Sequence, residues 1–383
     1  MATMRLPVDS ELLTQFLPLE SIVCSPLDGS PLRLISASEL LARLPAAECS
    51  RVSDEVVGAF VSESALVAYP IVGCIVDFLE QDALRLSEDR LYRYADEDEH
   101  SKIKASVTRW YDAFGWKRNE DGIYGDTGMF SQLSLSGHGL YELASHLSVL
   151  DRLSGGEFIL DAASGAIAHP EYFAYSWFYK HRVCVDMSRT ALQEAASKLG
   201  AGGLYCLADI CRLPFRENAF DAVVSGYTLQ HIPEAQQQQA VRELCRVTKP
   251  GSHVCVMSVI QPSLAHRALV KGARAVARFL GLRRPDDMRE VCSRDGGPVV
   301  PPHRLYSVVR NFRWWRDTAS GLTEKFRLEG LRLFDKDEFE DIFGNSARAA
   351  KIVRALESLF PSTAAKFCAY LLVDLEKLVR PEV

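Results

Sequence analysis

Between residues 156 and 262 the sequence alternates two textures. Short apolar runs, FILD (158–161), RVCVD (182–186), LYCLAD (204–209), FDAVVS (220–225) and HVCVMSV (253–259), are bounded by turn residues and have the length of buried strands. Between them, SRTALQEAASKLG (188–200) and PEAQQQQAVRELCRVTKPG (233–251) repeat apolar residues at helical spacing. Ser188 is a fitting N-cap, Gly200 a stop, and Pro233 occupies a first helical position. Apolar strands separated by helices predict an α/β fold, a parallel sheet with helices on both faces.

The flanks differ in pattern. Residues 1–86, with CSPLDGSPL (24–32) and GAFVSESALVAYPIVGCIVDFL (58–79), predict a small β-rich module. Residues 87–155 begin with an acidic run and continue at helical spacing through Ile103, Val107, Trp110 and Phe114, a helical lead-in to the 156–262 core. Residues 263–360 break the strand–helix rhythm and predict an inserted cap over the carboxyl edge of the sheet, where open α/β folds bind ligands. Residues 361–383 contain FCAYLLVDLEK (367–377), a final strand that completes the core sheet.

The 383 residues are 48% apolar and 25% charged, enough for a large core, and the net charge of −6 gives no reason to expect a nucleic-acid partner. No window approaches the ~20 apolar residues of a membrane span, and the amino terminus lacks a charged region followed by an apolar run, which predicts a cytoplasmic protein. The ten cysteines are scattered without a Cys-x-x-Cys pair and are expected to be reduced, several of them inside strands.

Candidate chemistry lies at the strand ends. Asp161, Asp186 and Asp209 close the first three core strands, so three carboxylates are expected at one edge. An acid after the second strand suits the two hydroxyls of a ribose, and one after the third suits an adenine amine, with the Ile210 N–H beside it facing a ring nitrogen. The turn after the first strand, DAASGAIAHP (161–170), keeps one glycine, Gly165, and has Ala163, Ala166 and Ile167 where a pyrophosphate needs close backbone approach. No Gly-Lys-Ser/Thr occurs either. S-adenosylmethionine carries no phosphate, so it tolerates both the missing glycines and the acids.

In this order, LDAASGA (160–166), VDMS (185–188), ADICRLPFRENAFDAVVS (208–225), HIP (231–233) and RELCRVTKPG (242–251) resemble the motifs of the class I S-adenosylmethionine-dependent methyltransferases. The resemblance implies a Rossmann-like sheet and S-adenosylmethionine as cofactor. It implies that Asp161 with Ala162, Ala163, Ser164 and Gly165 holds the methionine part, Asp186 the ribose, Met187 the adenine face, and Asp209 with Ile210 the adenine edge, with Ser225 also in the cofactor site. Tyr227 would sit near the sulfonium. Ala163 and Ile167 stand where the family has glycine, so a wider turn is expected, with slack from the residues before Pro170.

The amino-terminal module resembles the small zinc-binding domain found fused to, or partnering, methyltransferases. Only Cys24 of its cysteines remains, with Leu27, Ser62 and Ala65 near the other positions, so no metal is expected. His231, in YTLQHIP, is the candidate general base, alongside Tyr227 as a catalytic candidate; a turn-structuring role for His231 is the alternative. His169 is expected as an N-cap, with an approach to the methionine carboxylate or the acceptor as the alternative. The segment 263–284 has six Lys or Arg, no acid, and a stripe of Leu264, Leu269, Val270, Ala273, Ala277 and Leu280. It is expected as a solvated cap helix, with docking of an anionic or lipid-linked partner as the alternative. Trp314 and Trp315 are expected in the core, with the acceptor pocket as the alternative.

The expected function is methyl transfer to oxygen or nitrogen of a small-molecule or carrier-linked acceptor. Two other functions fit the same residues: a non-methylating reaction on the same cofactor, and a non-catalytic scaffold. Acceptor identity and oligomeric state are not legible here.

Overall fold

The computed structural model of the chain describes residues 13–87, 98–120, 122–130, 136–279 and 303–378. Its centre is a sheet of parallel strands β6 (Gly156–Ala162), β7 (Tyr179–Asp186), β8 (Gly203–Leu207), β9 (Phe220–Gly226) and β10 (Thr248–Val259), in the spatial order β8-β7-β6-β9-β10. The chain winds outward from β6 through β7 to β8, then returns to the other side of β6 for β9 and β10. Between β6 and β9 lies a topological switch point, and the crevice at the carboxyl ends of these strands is where such sheets take ligands.

Alternation along each strand covers both faces. Leu160, Val183, Val185, Val223, Val254 and Val256 pack into one buried cluster, whereas Ile159, Cys184, Tyr205, Ala222, Val224 and Cys255 point to the opposite side. A period of two with apolar residues on both faces is what a sheet sandwiched between layers demands. Helix α4 (Arg189–Leu199) starts as the sequence predicts, with the Ser188 side chain accepting from the Ala191 N–H, and ends at Gly200 with φ of 53°. Helix α5 (Gln237–Val247) begins later than expected, because Pro233 precedes a short 3₁₀ turn, Glu234–Gln236.

Strand β12 (Tyr370–Glu376) pairs antiparallel with β10, in keeping with the predicted final strand. A further strand, β11 (Phe326–Arg332), then pairs antiparallel with β12 and lies within the segment expected to be all cap. Helix α7 (Phe312–Ser320) buries Trp315 in the main core, so this part of 263–360 belongs to the sheet layer. Helices α6 (Leu264–Phe279), α8 (Lys336–Phe343) and α9 (Ala347–Leu359) share a separate cluster with α3 (Gly137–Leu147), through Val270, Phe339, Val353 and Tyr141.

The amino-terminal strands are continuous with this sheet. Strands β1 (Arg33–Ser36), β2 (Val56–Ser62), β3 (Val67–Val72) and β4 (Ile75–Asp77) run in antiparallel order, with the short β5 (Leu84–Arg85) beside β3, and β4 pairs parallel with β8. The module therefore extends the core beyond β8 instead of merely leaning on it. Backbone bonds fasten its other end: Cys24 N donates to Pro214 O at 3.0 Å, and Arg216 N to Ile22 O at 2.8 Å. Where the resemblance sets zinc ligands, hydroxyls and a carboxylate tie two turns together. Asp28 accepts from Ser30 Oγ at 2.6 Å and Ser64 Oγ at 2.8 Å, and Ser30 meets Ser62 at 2.7 Å. The nine cysteines among the described residues are free thiols; Cys292 lies outside them.

Candidate active site

A cavity of about 500 Å³ opens at the switch point. One wall is the turn after β6. Ser164 N donates to Val185 O at 3.0 Å, and Gly165 N donates to Asp186 Oδ2 at 2.9 Å, which draws the turn against the end of β7. Ala163, Gly165 and Ile167 all have positive φ, at 56°, 56° and 49°. The turn thus keeps the left-handed backbone that glycine favours and does so with alanine and isoleucine, rather than taking a wider path. Two features hold it. Lys198, at the end of α4, donates to the carbonyls of Ala166 and Ile167, and the Ile167 side chain is buried against Leu192. Above Gly165 lies the ring of Trp116, only 2.6 Å from where a Cβ would stand, so no larger residue fits.

Asp186 lines the cavity with one oxygen on the Gly165 N–H and the other accepting from Ser188 N at 2.8 Å. Burial, reinforced by the nearby Asp112 and Asp161 carboxylates, raises its pKa to about 6 even against these two N–H donors. Each oxygen retains a lone pair for a ligand hydroxyl. Met187 and Ile210 line the same wall, and so does Asp209, which accepts from Cys211 N at 2.9 Å and from the Lys104 ammonium. Lys104 comes from α2 (Glu99–Trp110), whose Val107 and Thr108, with Tyr111 beyond its end, close the cavity on that side.

Three expected cofactor residues lie elsewhere. Asp161 is turned into the sheet, where it pairs with the buried guanidinium of Arg182, which also donates to Tyr172 O at 2.6 Å. A buried arginine must be neutralised, so this carboxylate is committed between β6 and β7. Two of the three acids, not all three, reach the cavity. Ala162 is fully buried within the main core and Ser225 is buried in β9; neither lines the cavity, whereas Ala163, Ser164, Gly165 and Gly226 do.

The opposite wall holds both catalytic candidates. His231 donates from Nδ1 to Tyr306 O at 2.8 Å, and burial lowers its pKa, so the ring is neutral and Nε2 accepts from Gln230 Nε2 at 3.3 Å. Tyr227, with φ of 53°, presents its hydroxyl to His146 Nε2 at 2.9 Å and to Arg332 Nη2 at 3.4 Å. Arg332 is fully buried, pairs with Glu142 at 2.8 Å, and stacks 3.9 Å from the ring centre of Tyr370. His169 stands at the N-cap position of the turn Pro170–Ser176, but its side chain makes no cap hydrogen bond and lines the cavity instead. Ligand atoms of His146, His169 and Glu171 lie within 4.8 Å of one another.

Residues 303–311 form a strap over the cavity, contributing Leu305, Ser307 and Val309. The strap is stitched down by Val308 N to Gln230 O at 2.7 Å, Gln237 Nε2 to Val308 O at 2.9 Å, and His303 to Ser106. Trp314 and Trp315 take no part in the cavity. Lys104, Trp116, His146, Glu171 and Arg332 carry no local signal in the sequence: they come from the lead-in, the turn Pro170–Ser176 and β11, and meet only through the fold.

Residues 160–256 match the family described as a methyltransferase domain. With the sheet order and the acids after β7 and β8, this makes the core a class I, S-adenosylmethionine-dependent methyltransferase domain, an enzyme class whose cofactor is S-adenosylmethionine. Among curated proteins, the demethylmenaquinone methyltransferases of Mycobacterium tuberculosis and Mycobacterium bovis are 30% identical over 138 residues, 33% of this chain and 55% of theirs. The ubiquinone/menaquinone biosynthesis C-methyltransferase UbiE of Desulfotalea psychrophila is 34% identical over 79 residues, 20% of this chain and 31% of its own. The chain thus spans about half, or less, of the length of these relatives. Among solved structures, phosphoethanolamine N-methyltransferase 2 of Haemonchus contortus, in complex with S-adenosyl-L-methionine, aligns at 17% identity and a TM-score of 0.43, covering 72% of this chain and 60% of that one.

Proposed function

We propose that this chain moves the methyl group of S-adenosylmethionine to oxygen or nitrogen of a small-molecule, carrier-linked or lipid-linked acceptor in the cavity under the 303–311 strap. The observation that carries this reading is the pairing of Asp186, braced by the N–H groups of Gly165 and Ser188, with Asp209 and Ile210 on one wall of a cavity that shows no cluster of phosphate-binding cations among the described residues. Asp186 is the ribose acceptor in this reading, Met187 the adenine platform, and the Ala163–Gly165 turn the seat of the methionine part. Methyl transfer is an in-line displacement, so holding the acceptor under the strap supplies much of the rate; His231, with both ring nitrogens engaged by Tyr306 O and Gln230 Nε2, structures this wall.

Among the described residues, one buried polar atom of each of two cavity-lining side chains, Arg332 Nε and Gln230 Oε1, has no hydrogen-bond partner, which favours a polar acceptor group there. The relatives named as demethylmenaquinone and ubiquinone/menaquinone methyltransferases favour a quinone-type acceptor. Helix α6 is consistent with a lipid-linked acceptor. Val270 and Ala277 face inward and Ala273 is partly buried, but Leu264 and Phe279, at 83% and 90% exposure, lie outside with Arg267, Lys271 and Arg278. The single apolar stripe read from sequence is therefore two faces, one buried and one outward; Leu280 lies outside the described residues.

Incubation with methyl-labelled S-adenosylmethionine and a panel of small quinols, phenols and amines tests the proposal. Label in an extracted product is the expected result. Bound cofactor with no label moved would favour the non-methylating reaction. No bound cofactor in equilibrium dialysis would leave the scaffold.

A further inference from the structure

The hydrogen bonds beneath the cavity form a line whose direction can be worked out. Burial pushes the Glu171 carboxyl up, but hydrogen bonds from His146 and His169 outweigh it and hold the group well below the ordinary carboxylate range. An ionised carboxylate only accepts, so His146 Nδ1, 2.6 Å away, carries the proton and donates. His146 is fully buried, and burial lowers its pKa to about 4, so the ring is neutral and Nε2 has a bare lone pair. The Tyr227 hydroxyl, 2.9 Å from that lone pair, must therefore donate to it. Its oxygen is left as an acceptor, in a side chain that lines the cavity.

We infer that Tyr227, His146 and Glu171 form a proton relay, and that the acceptor it serves carries an ionisable hydroxyl: a phenol, enol or quinol. The inference deepens the methyl-transfer reading and rests on it. Tyr227 is the catalytic residue, since it touches the acceptor; His146 and Glu171 act through it and are positioning residues. The acceptor O–H proton passes to Tyr227 Oη while the phenol proton of Tyr227 passes to His146 Nε2, leaving an imidazolium beside the Glu171 carboxylate and an anionic acceptor. When bound, the cofactor would supply the methyl group to the acceptor oxygen, its carbon–sulfur bond breaking with the electron pair left on sulfur. The relay proton then leaves to water.

Arg332 strengthens the arrangement. Its guanidinium lies 3.4 Å from the Tyr227 oxygen and favours negative charge there during transfer, while Glu142 keeps the arginine itself neutralised. An imidazolium backed by a carboxylate is the same physical device that orients and stabilises the histidine of hydrolytic triads. The alternative for these residues is a metal held by His146, His169 and Glu171. Both nitrogens of His146 are already engaged, and the 2.6 Å contact to Glu171 is a hydrogen bond that a bound ion would have to open.

Nitrogen NMR of the full chain with ¹⁵N-labelled histidine, without cofactor, reads the relay directly. The expected signal for His146 is a neutral ring protonated on Nδ1, whose Nε2 resonance shifts in Tyr227→Phe. A proton on Nε2, or no shift, overturns the inference. The kinetic test uses hydroquinone and the more acidic 4-nitrocatechol as probes. Tyr227→Phe is expected to lower kcat with hydroquinone by about 10²–10⁴-fold, and His146→Gln and Glu171→Gln by smaller factors, with cofactor affinity kept within threefold. The deficit should narrow with 4-nitrocatechol, which arrives largely ionised. An equal loss with both probes marks a structural role and overturns the inference. So does label moving only to ethanolamine or aniline, or stoichiometric zinc that disappears in His146→Gln. Absence of cofactor binding in the unmodified chain would instead defeat the methyl-transfer reading beneath it.

Discussion

Ala163 and Ile167 share a backbone conformation but differ in what their side chains do, and the difference fixes the sign of two substitutions. A left-handed non-glycine residue costs about 1–2 kcal/mol, while glycine gives back about 0.4–1 kcal/mol through the freedom of the unfolded chain. Ala163→Gly is therefore expected to raise unfolding stability by about 0.5–1 kcal/mol in a urea titration. Ile167→Gly relieves the same strain but empties a fully buried site, and a net loss of about 2–4 kcal/mol is expected. If Ala163→Gly lowers stability instead, the positive φ values are not the source of strain. The sequence announced that glycines were missing from this turn, but not how the turn would respond. Lys198 and Trp116, which hold it, lie 31 residues after Ile167 and 49 before Gly165. No local pattern connects positions so far apart.

Strands carried most of what could be anticipated, because runs such as RVCVD and FDAVVS are buried on both faces and leave little choice of conformation. Strand β11 is not legible in the sequence for the converse reason. FRLEGLR (326–332) mixes charge and glycine with its apolar residues, as suits an edge strand with Arg327 and Glu329 interleaved. The acid at the end of β6 taught a related lesson. Its position at a strand end was readable, but Arg182 on the neighbouring strand was not recognised as its partner, and that pairing turns Asp161 inward. Breaking a buried ion pair from one side costs about 3–5 kcal/mol. Asp161→Asn should thus lower unfolding stability by about 3 kcal/mol, while the folded fraction binds S-adenosylmethionine with affinity within about threefold of the original. A large affinity loss at unchanged stability would mean that Asp161 faces the cofactor after all.

On the scale of the whole molecule, eleven strands form one path of neighbours from β1 to β11, and the amino-terminal module is part of it. Its turn signals and Tyr-Pro-Ile run were visible in sequence, but the β4–β8 pairing that merges it with the core was not, since strand partners leave no local trace. A chain starting at residue 98 would bare the edge of β8 and the surface covered by Phe16, Leu19 and Phe60. Such a chain is expected to be aggregated or molten, read by light scattering and near-ultraviolet circular dichroism; a soluble, cooperative fragment would mean that the module is dispensable to the fold. The site, too, is a property of the whole: the motif residues supply one wall, and the lead-in helices, the strap and β11 supply the rest.

The central claim is that Asp186 accepts the hydroxyls of a phosphate-free adenosyl cofactor. Protonation would remove that capacity, and the pKa of this group is raised to about 6 by burial, so affinity should be flat at neutral pH and fall as pH drops through about 6. Asp126 in the same cavity is also raised to about 6 by burial, so Asp126→Asn serves as the control that should retain the dependence. The decisive measurement is calorimetric titration of the full chain with S-adenosylmethionine between pH 5 and pH 8, beside Asp186→Asn. The account requires one site per chain, weakening toward about tenfold per pH unit below the pKa, and a variant that binds weakly at every pH. Binding that ignores both pH and the substitution, or no binding at all, would contradict it.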